Sequence, residues 1–385
     1  MTDRLALYVH WPFCVSKCPY CDFNSHVREA VDQKAWRDAL LADLAHEAAL
    51  LPGRRLTSIF FGGGTPSLMD PKTVEAVIGA ATTHWHCADD LEITLEANPN
   101  SVEAARFADL AAAGVNRLSL GLQSFHDTDL AFLGRTHSAA EGLAALDTAQ
   151  VNFDRVSFDL IYALPGDDEA KWSADLTHAL ALGTTHLSLY QLTIEPGTRF
   201  ASDVTRGRFM PLGEERSARL FELTQERSAE AGLPAYEISN HAVPDAESRH
   251  NLNYWRYGDY AGIGPGAHGR RLGMRTLRHR KPENFLAAMA RNGNGLAEEA
   301  SLTATEAADE ALVMGLRLSE GVDADAIAER FGVDSLVDWH RVERLVGSGH
   351  LVRDGGRIKL TQRGRLLVDH ILGEIAGTEL ISAAG

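Results

Sequence analysis

Three cysteines fall within eight residues near the N-terminus, in the spacing Cys14-x-x-x-Cys18-x-x-Cys21. A disulfide framework spreads pairs along a short secreted chain, so a tight trio at one end of 385 residues reads as a metal site. Three thiolates hold three irons of a [4Fe–4S] cubane and leave the fourth iron open; such clusters ordinarily take four cysteines, so something else must complete the site. The alternative is zinc, which prefers four protein ligands in paired short spacings, with His10 or His26 as a fourth ligand. The remaining cysteine, Cys87, follows His84-Trp85-His86 at an expected helix end and reads as an inert buried thiol.

The elements that must position this loop alternate through the first half of the chain. Leu5–Trp11, Thr57–Phe61, Leu91–Glu96, Arg117–Leu122, Arg155–Ile161 and His186–Leu192 are β-rich runs, which predict strands. Ala- and Leu-rich stretches between them predict helices over Gln33–Leu50, Pro71–His84, Val102–Ala113, Ala139–Ala149 and Glu169–Leu182. Strand–helix alternation repeated six times predicts an α/β fold, a partial (β/α)6 TIM-like barrel with a parallel sheet. Chemistry in such folds gathers at the C-terminal ends of the strands. The cysteine loop follows the first strand, and Gly62-Gly63-Gly64-Thr65-Pro66 ends the second. A glycine run lets backbone approach a ligand closely. Glu96 and Gln123 end the third and fourth strands, and Asp159 closes the fifth; each can accept hydrogen bonds from a bound cofactor. Arg135 can pair a carboxylate.

The cysteine spacing, with the glycine run and polar strand ends in this order, resembles the radical S-adenosylmethionine (SAM) superfamily. Over nearly the whole chain, Tyr8-Val-His10-Trp-Pro12-Phe13-Cys14, Cys21-Asp22-Phe23, Asp159-Leu-Ile-Tyr162-Ala-Leu-Pro165-Gly166 and Tyr236-Glu237-Ile-Ser239-Asn240 are similar to oxygen-independent coproporphyrinogen III oxidase-like proteins. The resemblance implies SAM on the open iron, contacted by Tyr8, Tyr20, Gly63, Gly64, Thr65, Glu96, Gln123, Arg135, Asp159 and Gln191.

Within that group two departures point away from the decarboxylating enzymes. Those enzymes carry a fourth cysteine where this chain has Phe23, and a long arm ahead of the cluster loop. His250-Asn251-Leu252-Asn253-Tyr254-Trp255 resembles instead the His-Asn-x-x-Tyr-Trp motif of the haem-chaperone branch. The branch implies haem as cargo, bound by His250 as axial ligand with Asn251, Tyr254 and Trp255; it also implies haem-accepting partners, a haem donor such as bacterioferritin, and a homodimer. Imidazole ligates haem iron, and Tyr and Trp offer flat faces to a macrocycle. The segment from Arg249 to Lys281 holds eight Lys and Arg against Asp259, which suits haem propionates or the carboxylates of coproporphyrinogen. The motif also fits a buried aromatic cluster that seats one segment on another. The alternative function is a radical SAM tetrapyrrole enzyme: a coproporphyrinogen III dehydrogenase or a haem-degrading methyltransferase.

Three segments are expected: a barrel core over 1–235, an aromatic and basic Gly-rich segment over 236–300, and a winged-helix-like domain over 301–385. In the last, Ala324–Phe331, Gly332 and Leu336–Leu345 are expected to form a helix–turn–helix, and a hairpin of Leu351–Asp354 with Arg357–Leu360 its wing. Winged helices often bind DNA, but 301–385 carries 9 Lys and Arg against 14 Asp and Glu, so a packing or lid role is expected. The formal charge of −16 likewise argues against nucleic acid as a partner. No apolar run spans a bilayer and no signal pattern opens the chain, so the expected location is cytoplasmic.

Overall fold

The computed structural model describes residues 3–28 and 30–376. All six expected strands are present: β1 (Arg4–Trp11), β2 (Arg55–Gly63), β3 (His86–Ala97), β4 (Arg117–Gln123), β5 (Arg155–Tyr162) and β6 (His186–Gln191). They lie side by side in chain order, every neighbouring pair parallel. Leu5, Ala6, Leu7 and Val9 of β1 are all fully buried, as a strand covered on both faces requires. The covering helices begin where short polar side chains cap them. Asp32 caps Gln33–Leu50, Asp70 caps Pro71–His84, Asp168 caps Glu169–Ala181, and Ser138 with Glu141 forms a capping box on Ala139–Asn152.

Two expectations change. The predicted helix over Val102–Ala113 is two short helices, Ser101–Ala104 and Phe107–Ala112. At the break, Arg106 turns its guanidinium to the carbonyls of Ser67 and Met69. Cys87 is neither buried nor at a helix end: β3 has already begun at His86, and the thiol is exposed. Trp85 takes the buried position instead, donating its indole N–H to the Leu51 carbonyl at 2.9 Å.

The sheet continues past the six strands at both edges. β7 (Asn240–Ala242) runs antiparallel to β6. On the other side β8 (Tyr260–Ile263) lies parallel to β1, and β9 (His268–Arg271), β10 (Met274–Arg278) and β11 (Leu296–Ser301) follow as an antiparallel meander. Gly262 is required there, because a Cβ would strike the His268 carbonyl on β9. A buried ionic network holds this extension to the helix Gln33–Leu50. Arg278 reaches Glu47 at 2.6 Å and Asp43 at 3.3 Å, and Arg271 reaches Glu47 at 2.5 Å. The Asp43 carboxylate also accepts the Gly264 and Gly295 N–H groups, both at 3.1 Å. Deleting one partner would leave a buried charge alone, at a cost of about 3–5 kcal/mol.

The C-terminal residues build a core of their own around Leu312, Leu316, Val342, Ile358 and Ile371. Helices Ala304–Gly315, Ala324–Phe331 and Trp339–Gly347 precede the hairpin Leu351–Asp354 with Arg357–Leu360, in the expected order. Among the described residues no helix is long and apolar enough to cross a membrane.

Candidate functional site

Two aromatic contacts fix the start of the cysteine loop. Phe13 packs edge-on against Trp11 at 5.0 Å and Trp36 at 5.1 Å, so the chain leaving β1 has little freedom before Cys14. Phe13 and Cys14 then pair with His26 and Val27, which closes the loop at its base. Cys14 is buried, and Cys18 and Cys21 are half-buried. The Thr65 hydroxyl donates to Cys14 Sγ at 3.5 Å, and Arg135 Nη1 donates to Cys18 Sγ at 3.5 Å. Burial pushes the Cys14 and Cys21 thiols above their ordinary pKa, and the neighbouring sulfurs add to this.

The glycine run touches the loop from β2. A Cβ on Gly64 would lie 2.8 Å from the Phe13 carbonyl and 3.0 Å from Cys14 Sγ. Gly63 has φ of +115°, and a Cβ there would meet the His10 ring at 2.6 Å. Gly134 lets the Arg135 loop approach equally closely, since its Cβ would lie 2.5 Å from Pro19. Among the described residues no group of three or more His, Cys, Asp or Glu is gathered closely enough to hold a single metal ion. One zinc needs its ligands within about 2.3 Å of one point, whereas each cubane iron takes its own cysteine, so this arrangement disfavours zinc. His10 is also committed elsewhere, with Nδ1 at 2.8 Å from the Tyr8 hydroxyl and Nε2 at 3.0 Å from the Asn24 carbonyl. His26 lies against the Arg280 carbonyl at 3.3 Å.

Around the loop stand Glu96 and Gln123 near their strand ends, and Asp159, which does not close its strand as expected but lies inside β5 with three more residues paired beyond it. Glu96 accepts the Gly63 N–H at 3.1 Å, and burial with the nearby Asp159 charge pushes its carboxyl up to about 8. Asp159 is pushed up to about 6, chiefly by burial. Two enclosed carboxyls that resist ionisation together suit a cationic ligand, which the ammonium and sulfonium of SAM supply. Gln123 has φ of +72°, and its side-chain oxygen is buried without a partner, so a donor is missing there too. Arg135 Nη2 donates to Asn98 Oδ1 at 2.6 Å and the Gly121 carbonyl at 2.9 Å. Tyr20 lies beside Cys18 and Arg135, its hydroxyl held protonated by burial. Tyr8 lies against Phe60 and His250. Gln191 turns aside, donating to the Ser217 carbonyl at 2.6 Å. Thiols, glycine cradle and unmatched acceptors fit a cluster with SAM.

The His-Asn-x-x-Tyr-Trp motif is elsewhere, on the helix Arg249–Trp255 across the N-terminal ends of the strands. Ser248 caps it by accepting from Asn251 N–H, and Glu92 on β3 accepts the His250 N–H at 3.2 Å. The His250 ring faces inward, stacked on Phe60 with centroids 4.9 Å apart and 3.2 Å from the Ser58 hydroxyl. Burial lowers its pKa to about 4. Asn251 donates to the Tyr236 hydroxyl at 3.3 Å, Tyr254 packs edge-on to Trp255 and Tyr260, and Arg317 lies over the Trp255 ring.

Known proteins share both halves of this arrangement. The Radical SAM superfamily model matches residues 8–178, and the HemN C-terminal domain model matches residues 302–367. Over 376 residues the chain is 37% identical to the heme chaperone HemW of Escherichia coli (strain K12), covering 96% of this chain and 97% of that protein. The chain belongs to the HemW family of radical SAM proteins. The heme chaperone HemW of Bacillus subtilis (strain 168) is 32% identical over 97% of this chain and 99% of its own. A mitochondrial radical S-adenosyl methionine domain-containing protein 1 from Bos taurus is 39% identical over 96% of this chain and 83% of its own. Among solved structures, the E. coli coproporphyrinogen III oxidase HemN superposes with a TM-score of 0.80 at 23% identity, over 96% of this chain and 89% of that one. That likeness shows the fold. Radical SAM membership brings a [4Fe–4S] cluster and SAM as the family's cofactors.

Two features of this HemW-family chain escaped the sequence. Asn98 ties the site together, bonding Arg135 and donating to Thr65 Oγ1 at 3.1 Å. Its place two residues after Glu96 is the signal that could have found it. The basic run is largely spent on partners within the protein, three of its eight cations being buried. Arg271 and Arg278 are buried with Glu47, Arg270 lies 3.5 Å over the Tyr257 ring, and Arg256 holds Glu320.

Proposed function

We propose that this chain is a haem chaperone: it binds haem and passes it to haem-requiring proteins. The observation that carries the reading is the near-complete match to heme chaperone HemW proteins, in a chain that keeps the His-Asn-x-x-Tyr-Trp motif on a helix of its own. Phe23 at the position of the enzymes' fourth cysteine, 59% exposed beside the cluster loop, supports chaperone over coproporphyrinogen III dehydrogenase. Cys14, Cys18 and Cys21 would hold the cluster. Glu96, Gly63, Gly64, Thr65, Gln123, Asp159, Arg135, Tyr8, Tyr20 and Gln191 would surround SAM, which when bound supplies the open iron's remaining ligands. The chain's own part is positional: Thr65 and Arg135 hold the thiolates, and Glu96 with Asp159 takes the cofactor's positive charge.

His250 is the candidate haem ligand, with Asn251, Tyr254 and Trp255 around it. Its ring is enclosed against Phe60, so ligation requires the helix Arg249–Trp255 to turn its inner face outward. Further proposals are a haem donor, haem-accepting partners, a homodimer and a cytoplasmic location.

The test is an anaerobic haem titration of the cluster-loaded chain, followed by Soret absorbance, beside His250→Ala. Saturable binding at one haem per chain with a displaced Soret band in the variant is expected. Absence of binding, with release of CO₂ from coproporphyrinogen III, would sink the chaperone reading in favour of the enzyme.

A further inference from the structure

The base of the barrel, at the N-terminal ends of its strands, holds a cavity of about 350 Å³. Five guanidinium groups line it, brought together from three distant parts of the chain. Arg4 and Arg55 open β1 and β2, Arg249 and Arg256 flank the outer side of the motif helix, and Arg330 comes from the helix Ala324–Phe331. The acid of the wall, Asp90, is taken by Arg249 at 2.7 Å. Arg256 makes two bonds of 2.8 Å to Glu320, and Arg330 donates to the Tyr257 carbonyl at 3.2 Å.

Arg4 and Arg55 differ from the others. They are exposed cross-strand neighbours in register, and among the described residues neither guanidinium has a hydrogen bond or an ion pair. Two like charges held side by side repel each other and gain nothing for the fold. A wall that gathers cations from separate elements, with too little acid to match them, is arranged for an anion that the chain does not itself supply. Arginine forks match carboxylates in particular, two N–H groups to two oxygens. Leu252 and Ala88 line the same cavity, so it is apolar within and cationic at its walls.

We propose that this cavity takes the carboxylate edge of a dicarboxylic tetrapyrrole, with Arg4 and Arg55 clamping the two propionates. The inference rests on the haem-chaperone reading and adds an orientation to it. The propionates sit on the outer side of the motif helix, against the strand starts, and not on the basic run that follows the motif. His250 lies on the other side of that helix, so carboxylate capture and iron ligation are separate contacts.

The test uses the full, cluster-loaded chain and the double variant Arg4→Gln/Arg55→Gln. Both positions are exposed and, among the described residues, their guanidiniums are without partners, so the variant keeps its fold, which a thermal melt checks. Each protein is titrated anaerobically with iron protoporphyrin IX and with its dimethyl ester. A charge-matched control, Lys34→Gln/Lys72→Gln, removes two cations from the outer helices. The double variant is expected to bind the diacid at least tenfold more weakly, while the ester binds variant and wild type alike and the control is unchanged. Equal binding of the diacid by variant and wild type overturns the clamp and leaves the chaperone reading standing. A control weakened as much as the double variant also overturns it, because general charge would then be the cause. Failure of the wild type to bind either ligand overturns the chaperone reading and the clamp with it.

Discussion

The two ends of the barrel hold their buried ionisable groups in opposite senses. At the C-terminal ends of the strands, burial pushes Glu96 up to about 8 and Asp159 to about 6, against the opposing charges of Arg117 and, for Asp159, Arg135. At the base, His250 is pushed down to about 4 and His186 is lowered by the same cause, burial. Those imidazoles already have neutral partners: Ser58 and Phe60 for His250, and the Tyr236 hydroxyl at 3.0 Å for His186. The upper site is incomplete and suits a cationic cofactor. The base holds its imidazoles neutral inside, with His186 Nδ1 left without a bond, and among the described residues carries its unmatched charge outward, on Arg4 and Arg55. One barrel thus separates a site that needs a ligand for its own neutrality from one that offers charge to a visitor.

The largest expected effect breaks only the upper end. Cys18→Ala removes a proposed cluster ligand, so iron and sulfide after reconstitution should fall to background, read by elemental analysis and visible absorbance. The base should not notice. The urea midpoint of the cluster-free variant is expected within about 0.5 kcal/mol of the cluster-free wild type, because Cys18 is only half-buried. A variant that keeps its cluster would refute the assignment.

His250→Phe probes the base through its pH dependence. The folded pKa of His250 is about 4 against an ordinary 6.5, so as pH falls the unfolded chain takes up this proton first. The stability from the neutral ring is whole above about pH 6.5 and drains away towards pH 4, on the order of 3 kcal/mol in all. Phenylalanine keeps the stack on Phe60 and has no proton to bind. The wild type should therefore lose on the order of 2–3 kcal/mol more than the variant between pH 7 and pH 4.5, by urea unfolding. Parallel loss in both would show that His250 is not held neutral.

Glu96→Gln tests the upper end with the opposite sign. The folded carboxyl titrates near 8 and the unfolded one near 4.5. Stability tied to the protonated form is present below pH 4.5 and lost as pH rises through 8. The cofactor-free variant should then be the more stable protein at pH 9, while its SAM affinity drops tenfold to hundredfold, on the order of 1.5–3 kcal/mol for a charged hydrogen bond. Equilibrium dialysis against labelled SAM reads the second effect; unchanged affinity would remove Glu96 from the site.

The upper end was readable in the sequence, but of the base only the motif His250–Trp255 was, for a physical reason. Cluster and strand-end residues are short-range features: three cysteines in one loop, a glycine run, and an acid where an apolar strand stops. Each can be read within a few positions of its neighbour. The base depends on contacts across the chain. Arg278 looks like one more surface cation until Asp43 and Glu47, over 230 residues away, bury it. Arg4 and Arg55 carry no motif at all, and only the parallel register of β1 on β2 sets them together. The strand Tyr260–Ile263 was hidden by Gly262, which serves the close approach of β9 and dilutes the apolar pattern.

Cys87 gives the smallest expected effect and the sharpest control on the cysteines. It pairs in register with Leu56 near the start of β3, at the base, and its side chain is exposed. A thiol there packs nothing and bonds only weakly, 3.8 Å from the Trp85 carbonyl. Cys87→Ser is expected to change stability by less than about 0.5 kcal/mol, by thermal melt, and to leave cluster content intact. In the cluster-loaded wild type, mild alkylation followed by peptide mapping should label Cys87 and spare Cys14, because metal-bound thiolates are withdrawn from reaction and Cys14 is also buried. Loss of cluster in Cys87→Ser would place a fourth thiol in the cluster's chemistry and end the separation of the barrel's two ends.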